Sequence, residues 1–336
     1  MSVLVTGATG FIALHVVDKL LARGYTVIGT ARSEERYAPF LAEFRKKYPD
    51  GKLSFEIVPD IGTDDAFDHV LQAHPEVTKV LHTASPFSYG LNKPFEEAYL
   101  TPAVNGTLNI LKATKKYAPQ VTHVVVTSSF AAVKKNGDEL YTHVHTKDSW
   151  NPVTWDDVDN ETVAYVASKI SAEKAARKFV EDEKPGFSLS TVNPPLVLGP
   201  QLFDIAVNET LNTSNQYIVD IAKLTDKNGK ATKISSLAVD VRDVAEFHVL
   251  PLEKEAIRNQ RNFIASSNFY PGEVAAIIKK NFPQYADKVL DLDDLPKKEI
   301  KYDLASVVEP LGGYNFIPLE KSVVDTLTQY FKKYPL

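Results

Sequence analysis

The sequence predicts an α/β protein: a doubly wound parallel sheet with a smaller lobe built from its later residues. Three observations carry that expectation. Between residues 3 and 192, short continuous apolar runs alternate with segments of helical apolar spacing, the pattern of a parallel sheet covered by helices on both faces. The first run enters its helix through a turn bearing Gly7 and Gly10. Beyond Gly199 the alternation loosens into polar stretches and short elements with Pro, Gly and Lys.

Taken in order, residues 3–5 form a strand and 11–21 a helix, with Phe11, Ile12, Val16, Val17, Leu20 and Leu21 on one stripe and Gly24 as its stop. Residues 25–30 are a second strand, 37–48 a helix with charged gaps, 53–58 a third strand, 66–71 a short helix and 79–82 a fourth strand. The stretch 95–117 is one long helix or two. Residues 122–127 are the fifth strand, 162–183 a long helix and 188–192 the sixth strand, while 239–253 read as a strand end and an amphipathic helix. Residues 1–199, with 238–261 returning, then form the main domain. Residues 200–237 and 262–336 form the smaller lobe over the carboxyl ends of the strands.

Composition narrows the function classes. The 336 residues are 44% hydrophobic and 24% charged, enough for a large core under an ordinary polar surface. Net charge is −5 and no basic block occurs, which argues against nucleic acid as a partner. The absence of cysteine excludes disulfides and a thiolate nucleophile. No stretch approaches the ~18 apolar residues of a membrane span, and the apolar run at 3–5 is too short for an export signal. A cytoplasmic location is expected.

Ligands of open α/β sheets bind where the first strand turns into the first helix. There a helix N-terminus offers free N–H groups and partial positive charge to a pyrophosphate, and glycine lets the backbone come close. The spacing Gly7-x-x-Gly10-x-x-Ala13 departs from the usual fingerprint only at Ala13, where close packing asks for a small residue. With a strand before it, a helix after it and a second strand ending about twenty residues later, the turn reads as the dinucleotide site of a Rossmann domain. Gly7, Thr9, Gly10, Phe11 and Ile12 are its candidate contacts. The second strand ends Gly29-Thr30-Ala31-Arg32-Ser33, with no carboxylate to bind a ribose 2′-hydroxyl. Arg32, joined by Arg36 a turn later, suits a 2′-phosphate instead, so NADPH/NADP is the expected cofactor.

In Tyr165-Val166-Ala167-Ser168-Lys169 the i, i+4 spacing sets Tyr165 and Lys169 on one helix face. A phenol is a poor acid at its ordinary pKa near ~10, and a neighbouring ammonium favours the phenolate. A phenol so tuned can protonate a carbonyl oxygen as hydride reaches the carbon. Ser128-Ser129 at the end of the fifth strand adds a hydroxyl to hold that oxygen.

With these pieces in order, the chain resembles the extended short-chain dehydrogenase/reductases, in the branch of dihydroflavonol reductases and yeast methylglyoxal or carbonyl reductases. The matching stretches are VTGATGFIA (5–13), TARS (30–33), VPDI (58–61), HTASPF (82–87), PAVNGT (102–107), VVTSS (125–129), YVASK (165–169), NPPLVLGP (193–200) and VDVRDVA (239–245). The resemblance implies Tyr165 as the acid, Lys169 as its activator and ribose anchor, and Ser129 rather than Ser128 as the carbonyl-orienting hydroxyl. It implies that Asp60 and Ile61 meet the adenine and that Thr83, Ala84 and Ser85 line the ribose and phosphate path. Pro194 and Val197 meet the nicotinamide carboxamide, Tyr165 and Lys169 also touch the cofactor, and Asn105 supports a relay water or the catalytic loop.

A small-carbonyl pocket is mostly apolar, and Phe87, Phe130, Val163 and Leu196 are its candidate walls. His143-x-His145 lacks the third ligand a metal site needs, so no metal is expected. The role of residues 136–161 stays open between a flap and a surface loop. The expected function is NADPH-dependent reduction of aldehydes or ketones (small dicarbonyls, branched aldehydes or aryl ketones) to alcohols. The partner is a small carbonyl compound, with a homodimer allowed for. The competing readings are a nucleotide-sugar epimerase or dehydratase of the same fold, and a non-catalytic NADP-sensing protein. Arg32, and Phe130 where a dehydratase places an acid, weigh against the first. The retained Tyr165 and Lys169 weigh against the second.

Overall fold

The computed structural model describes residues 1–85, 90, 93–234 and 236–336. A seven-stranded sheet runs in the order β3-β2-β1-β4-β5-β6-β9, every neighbouring pair parallel. Its strands are β1 (Ser2–Thr6), β2 (Thr26–Ala31), β3 (Leu53–Ile57), β4 (Val77–His82), β5 (His123–Thr127), β6 (Ser188–Asn193) and β9 (Arg261–Phe263). A three-stranded sheet of β7 (Leu196–Leu198), β8 (Ser236–Asp240) and β10 (Ser267–Phe269) stands beside it, with β8 parallel to β7 and antiparallel to β10.

The helices are α1 (Phe11–Ala22), α2 (Glu34–Lys47), α3 (Asp68–Ala73), α4 (Thr101–Tyr117), α5 (Glu139–Thr142), α6 (Glu161–Glu183), α7 (Thr213–Ala222), α8 (Val241–Glu253), α9 (Pro271–Asn281), α10 (Ala305–Val308) and α11 (Leu319–Lys333). On one face of the large sheet, α1 and α8 pack through Val16, Val17, Leu20, Val244 and Phe247, all fully buried. On the other, α4 packs Ile110 and Leu111 against Val80 and Val124. A second core gathers α7, α9 and α11 around Ile218, Ile278 and Tyr330.

The structure refines the sequence reading in several places. The segment 95–117 begins as a π-helical turn, Glu96–Leu100, before α4 continues it. Helix α2 starts earlier than its apolar spacing indicates, at Glu34, because Ser33 takes the N-cap backbone and Glu34 and Glu35 fill a first turn that favours acids. The large sheet gains a seventh strand, β9. The small sheet draws on 196–198, just before the boundary expected at 199, and the large sheet on 261–263, at the boundary expected at 261.

Candidate active site

Strand order reverses at β1, which has β2 on one side and β4 on the other. The turns leaving β1 and β4 therefore diverge and open a crevice at their carboxyl ends. Two adjoining cavities of about 470 and 580 Å³ share Gly7, Gly10, Thr83 and Ser85 and form one long cleft.

Gly7 sits at φ +65°, and a Cβ there would meet the Ala84 backbone at 2.8 Å, so both conformation and space demand glycine. Its amide donates to Thr30 Oγ1 (3.2 Å), and Gly10 donates to Gly7 O (3.0 Å). Gly10 caps α1 with no side chain on the first-turn amides, so those N–H groups of Phe11 and Ile12 are left at the cleft. Ala13 is fully buried against the sheet, as its small size allows. The turn after β4 is tied to β1: Thr83 Oγ1 donates to Thr6 O (2.6 Å), and Ala84 N to Thr6 Oγ1 (3.2 Å).

One arm of the cleft holds Thr9, Arg32, Arg36, Asp60, Ile61, Thr83, Ala84 and Ser85. Arg32 and Arg36 are exposed, and neither guanidinium has an ion-pair partner among the described residues. Glu35, near enough to compete, bonds Ser33 instead. The Ile61 carbonyl accepts from Asn109 Nδ2 at 3.0 Å, and that of Thr63 at 2.7 Å. Asn105 lines neither arm; Asn109, one turn along α4, makes the loop contact.

The other arm holds Phe11, Ile12, Ser129, Phe130, Tyr165, Lys169, Pro194, Leu196 and Val197. Ser128 and Ser129 leave β5 on opposite sides. Ser129 hydrogen-bonds Tyr165, while Ser128 donates to Glu173 Oε2, one helical turn beyond Lys169. Ser129 Oγ also caps the 3-10 turn Phe130–Ala132, accepting from Ala131 N at 3.1 Å. Phe130 N donates to Pro194 O (2.8 Å), which binds the serine turn to the 194–197 loop.

Lys169 donates to Ser85 Oγ at 2.8 Å, with its Nζ 5.9 Å from the Tyr165 ring centre. Burial lowers its pKa to about 8. Burial raises Tyr165, and the Ser129 hydrogen bond only partly offsets this. The ammonium is turned to Ser85, and desolvation of the phenolate dominates.

Val163 does not line the cleft; Thr162 and Val166 do. The helical period explains it. Residues 162, 165, 166 and 169 share one face, and 163 turns away from Tyr165. Phe130 is divided between roles: it borders the cleft and stacks on Phe263 at 5.3 Å in a small core. Phe87 lies outside the described residues. His145 donates from Nδ1 to Lys301 O (3.0 Å) and accepts Lys135 N–H on Nε2 (3.0 Å), so both nitrogens are engaged as in a neutral ring.

Other contributors had no sequence signal. Thr213, Ser214 and Tyr217 of α7, Ser236 of β8, and Lys134 line the substrate arm. Thr162 and Val166 were within reach of the helical period; the rest needed the fold. Behind the site, buried Glu173 accepts from Arg261 Nε (2.7 Å), Arg177 Nε (3.2 Å) and Asn193 Nδ2 (2.7 Å). Arg261 also donates to the carbonyls of Ala132, Lys147 and Ser149 and stacks on Trp150 at 3.9 Å. Residues 147–150 are thereby pinned to β9.

Residues 3–265 match the NAD dependent epimerase/dehydratase family. The chain belongs to that family. Within it, the chain is 44% identical over 355 residues to the NADPH-dependent methylglyoxal reductase GRE2 of Saccharomyces cerevisiae, covering 99% of this chain and 98% of that one. It is 37% identical to the ketoreductase azaE of Aspergillus niger, covering 98% of each. The structure of yeast methylglyoxal/isovaleraldehyde reductase Gre2 complexed with NADPH superposes with a TM-score of 0.91 at 38% identity, covering 99% of this chain and 98% of that chain. Epimerase/dehydratase family members of this reductase kind thus match the chain along its whole length.

Proposed function

We propose that this chain is an NADPH-dependent reductase that converts aldehydes and ketones to alcohols, with small dicarbonyls, branched aldehydes and aryl ketones as its range. The observation that carries this reading is the meeting of Ser129, Tyr165 and Lys169 in a cleft whose other arm bears two arginines without an ion pair among the described residues. The names of the full-length relatives support it. The turn from Gly7 to Ile12 would hold the pyrophosphate, Arg32 and Arg36 the 2′-phosphate, and Asp60 and Ile61 the adenine. Thr83, Ala84 and Ser85 would line the ribose path, Lys169 the nicotinamide ribose, and Pro194 and Val197 the carboxamide. When bound, the reduced nicotinamide supplies a hydride to the carbonyl carbon. Ser129 holds the carbonyl oxygen, and the C=O electron pair moving onto that oxygen takes the Tyr165 proton. Because burial raises the phenol's pKa, Tyr165 stays protonated at neutral pH, as an acid must. The Lys169 ammonium steadies the phenolate left behind. A cytoplasmic setting is part of the same reading; among the described residues no helix is long and apolar enough to cross a membrane.

The test is consumption of NADPH on a panel of these carbonyls, with Tyr165→Phe beside the wild type. The variant is expected to lose about 10²–10⁴ in kcat/KM while still binding NADPH by fluorescence. Full activity in the variant would remove the acid role, and no turnover on any carbonyl would remove the reading.

A further inference from the structure

The substrate arm carries a cation that this chemistry does not use. Lys134 lies on the turn that begins at Ser129, its amide donating to Phe130 O at 2.9 Å. It lines the cleft and is half-buried. Its side chain makes no hydrogen bond or ion pair among the described residues. Burial lowers its pKa, and no neighbouring charge offsets that burial.

The rest of the arm supplies no counter-charge. No carboxylate stands among the described residues that line it; Thr162, Thr213, Ser214, Tyr217 and Ser236 are neutral. His145, close enough to feel the Lys134 charge, has its pKa lowered by burial and both ring nitrogens already engaged. A desolvated ammonium without a partner is unfavourable, and a carboxylate brought to it forms a charge-assisted hydrogen bond.

We propose that Lys134 is a carboxylate-binding subsite of this cleft and that the substrates include oxo acids, ketones or aldehydes that also carry a carboxylate. This rests on the reductase reading and names its substrate class. One turn carries both contacts: Ser129 for the reacting carbonyl and Lys134 for the carboxylate. Lys134 follows Ser129 by five residues, beyond the 3-10 turn Phe130–Ala132, so the subsite as proposed sets the carboxylate several bonds from the reacting carbonyl. It therefore takes 4-oxo and 5-oxo acids ahead of 2-oxo acids.

The experiment compares 4-oxopentanoate and 5-oxohexanoate with their neutral amides as substrates of wild type, Lys134→Met and Lys134→Arg. NADPH affinity serves as the check that each variant is folded. The wild type should prefer at least one acid over its amide by about tenfold or more in kcat/KM. That ratio should collapse towards unity in Lys134→Met and survive in part in Lys134→Arg. Equal use of acid and amide by the wild type, or an unchanged ratio in Lys134→Met, overturns the subsite. Calorimetric binding of 4-oxopentanoate to the protein saturated with NADP⁺ separates the two readings. If no carbonyl is reduced but binding weakens about tenfold in Lys134→Met, the reductase reading fails and the subsite stands. If binding is the same in both proteins, the subsite fails.

Discussion

Tyr165 and Lys169 are moved in opposite directions by one cause. Burial penalises whichever form is charged, so the phenol goes up and the amine comes down to about 8. The proposed mechanism needs the phenol protonated and the amine charged. As pH rises, the amine is the first of the two to lose its working form, because its folded pKa lies below the ordinary lysine value while the phenol's lies above its own. A pH profile of kcat/KM for one ketone should therefore fall on its basic side near pH 8. A profile flat to the ordinary lysine range, near ~10, would show that Lys169 does not lose its charge near pH 8. The i, i+4 pairing of these residues was legible in the sequence, because helical spacing is local. Their acidities were not, since desolvation depends on everything packed around helix α6, and Lys169 finds Ser85 on a different loop.

Helix α6 works along one stripe. Thr162, Tyr165, Val166 and Lys169 face the cleft, and Glu173, one turn beyond Lys169 on the same stripe, enters the joint with β6 and β9. Burial alone would raise the Glu173 carboxyl, but Arg261 and Arg177, with the Ser128 hydrogen bond, hold it below the ordinary glutamate value. Burial pulls Arg261 down, though from a value so high that it stays charged. Removing one member leaves the other buried and unpaired. Glu173→Gln is expected to cost about 3–5 kcal/mol of stability, read as a lower urea midpoint at unchanged slope. Glu173→Leu combined with Arg261→Met should recover part of that loss. The sign with pH follows from the depressed folded pKa: the folded state binds fewer protons, so the contribution is complete above the ordinary value of 4.5 and disappears as pH falls through the lower folded value. A Glu173→Gln loss that persists unchanged below that value would refute the assignment. Sequence reading could place Glu173 one turn beyond Lys169. It could not supply Arg261, whose strand is three residues long and joins the sheet across a wide sequence gap.

The cleft is assembled from distant parts of the chain: the β1–α1 turn, the segment after β4, helix α6, and α7 with strand β8 of the smaller sheet. A ligand that touches all of them stabilises the folded molecule by mass action, by about 2.7 kcal/mol at a hundredfold excess over Kd. NADPH should raise the thermal midpoint by a few degrees, and NADH by less at equal concentration. In Arg32→Asp the difference between the two should shrink or reverse. Equal shifts from both cofactors in the wild type would dismiss the 2′-phosphate role of Arg32. At this scale the parallel sheet was legible through its continuous apolar strands, and so was the crevice beside Gly7. The small sheet of β7, β8 and β10 was not. Its strands are three to five residues long, too short for a period to declare itself, and they pair across large sequence distances.

The reach of Arg261 also constrains how the enzyme can be made. A nascent chain halted before β9 would already contain Ser129, Tyr165 and Lys169, yet the carboxylate beneath them would lack its main cation and Trp150 its stacking partner. Synthesis would supply Ser129, Tyr165 and Lys169 well before Arg261 arrives to brace the joint behind them.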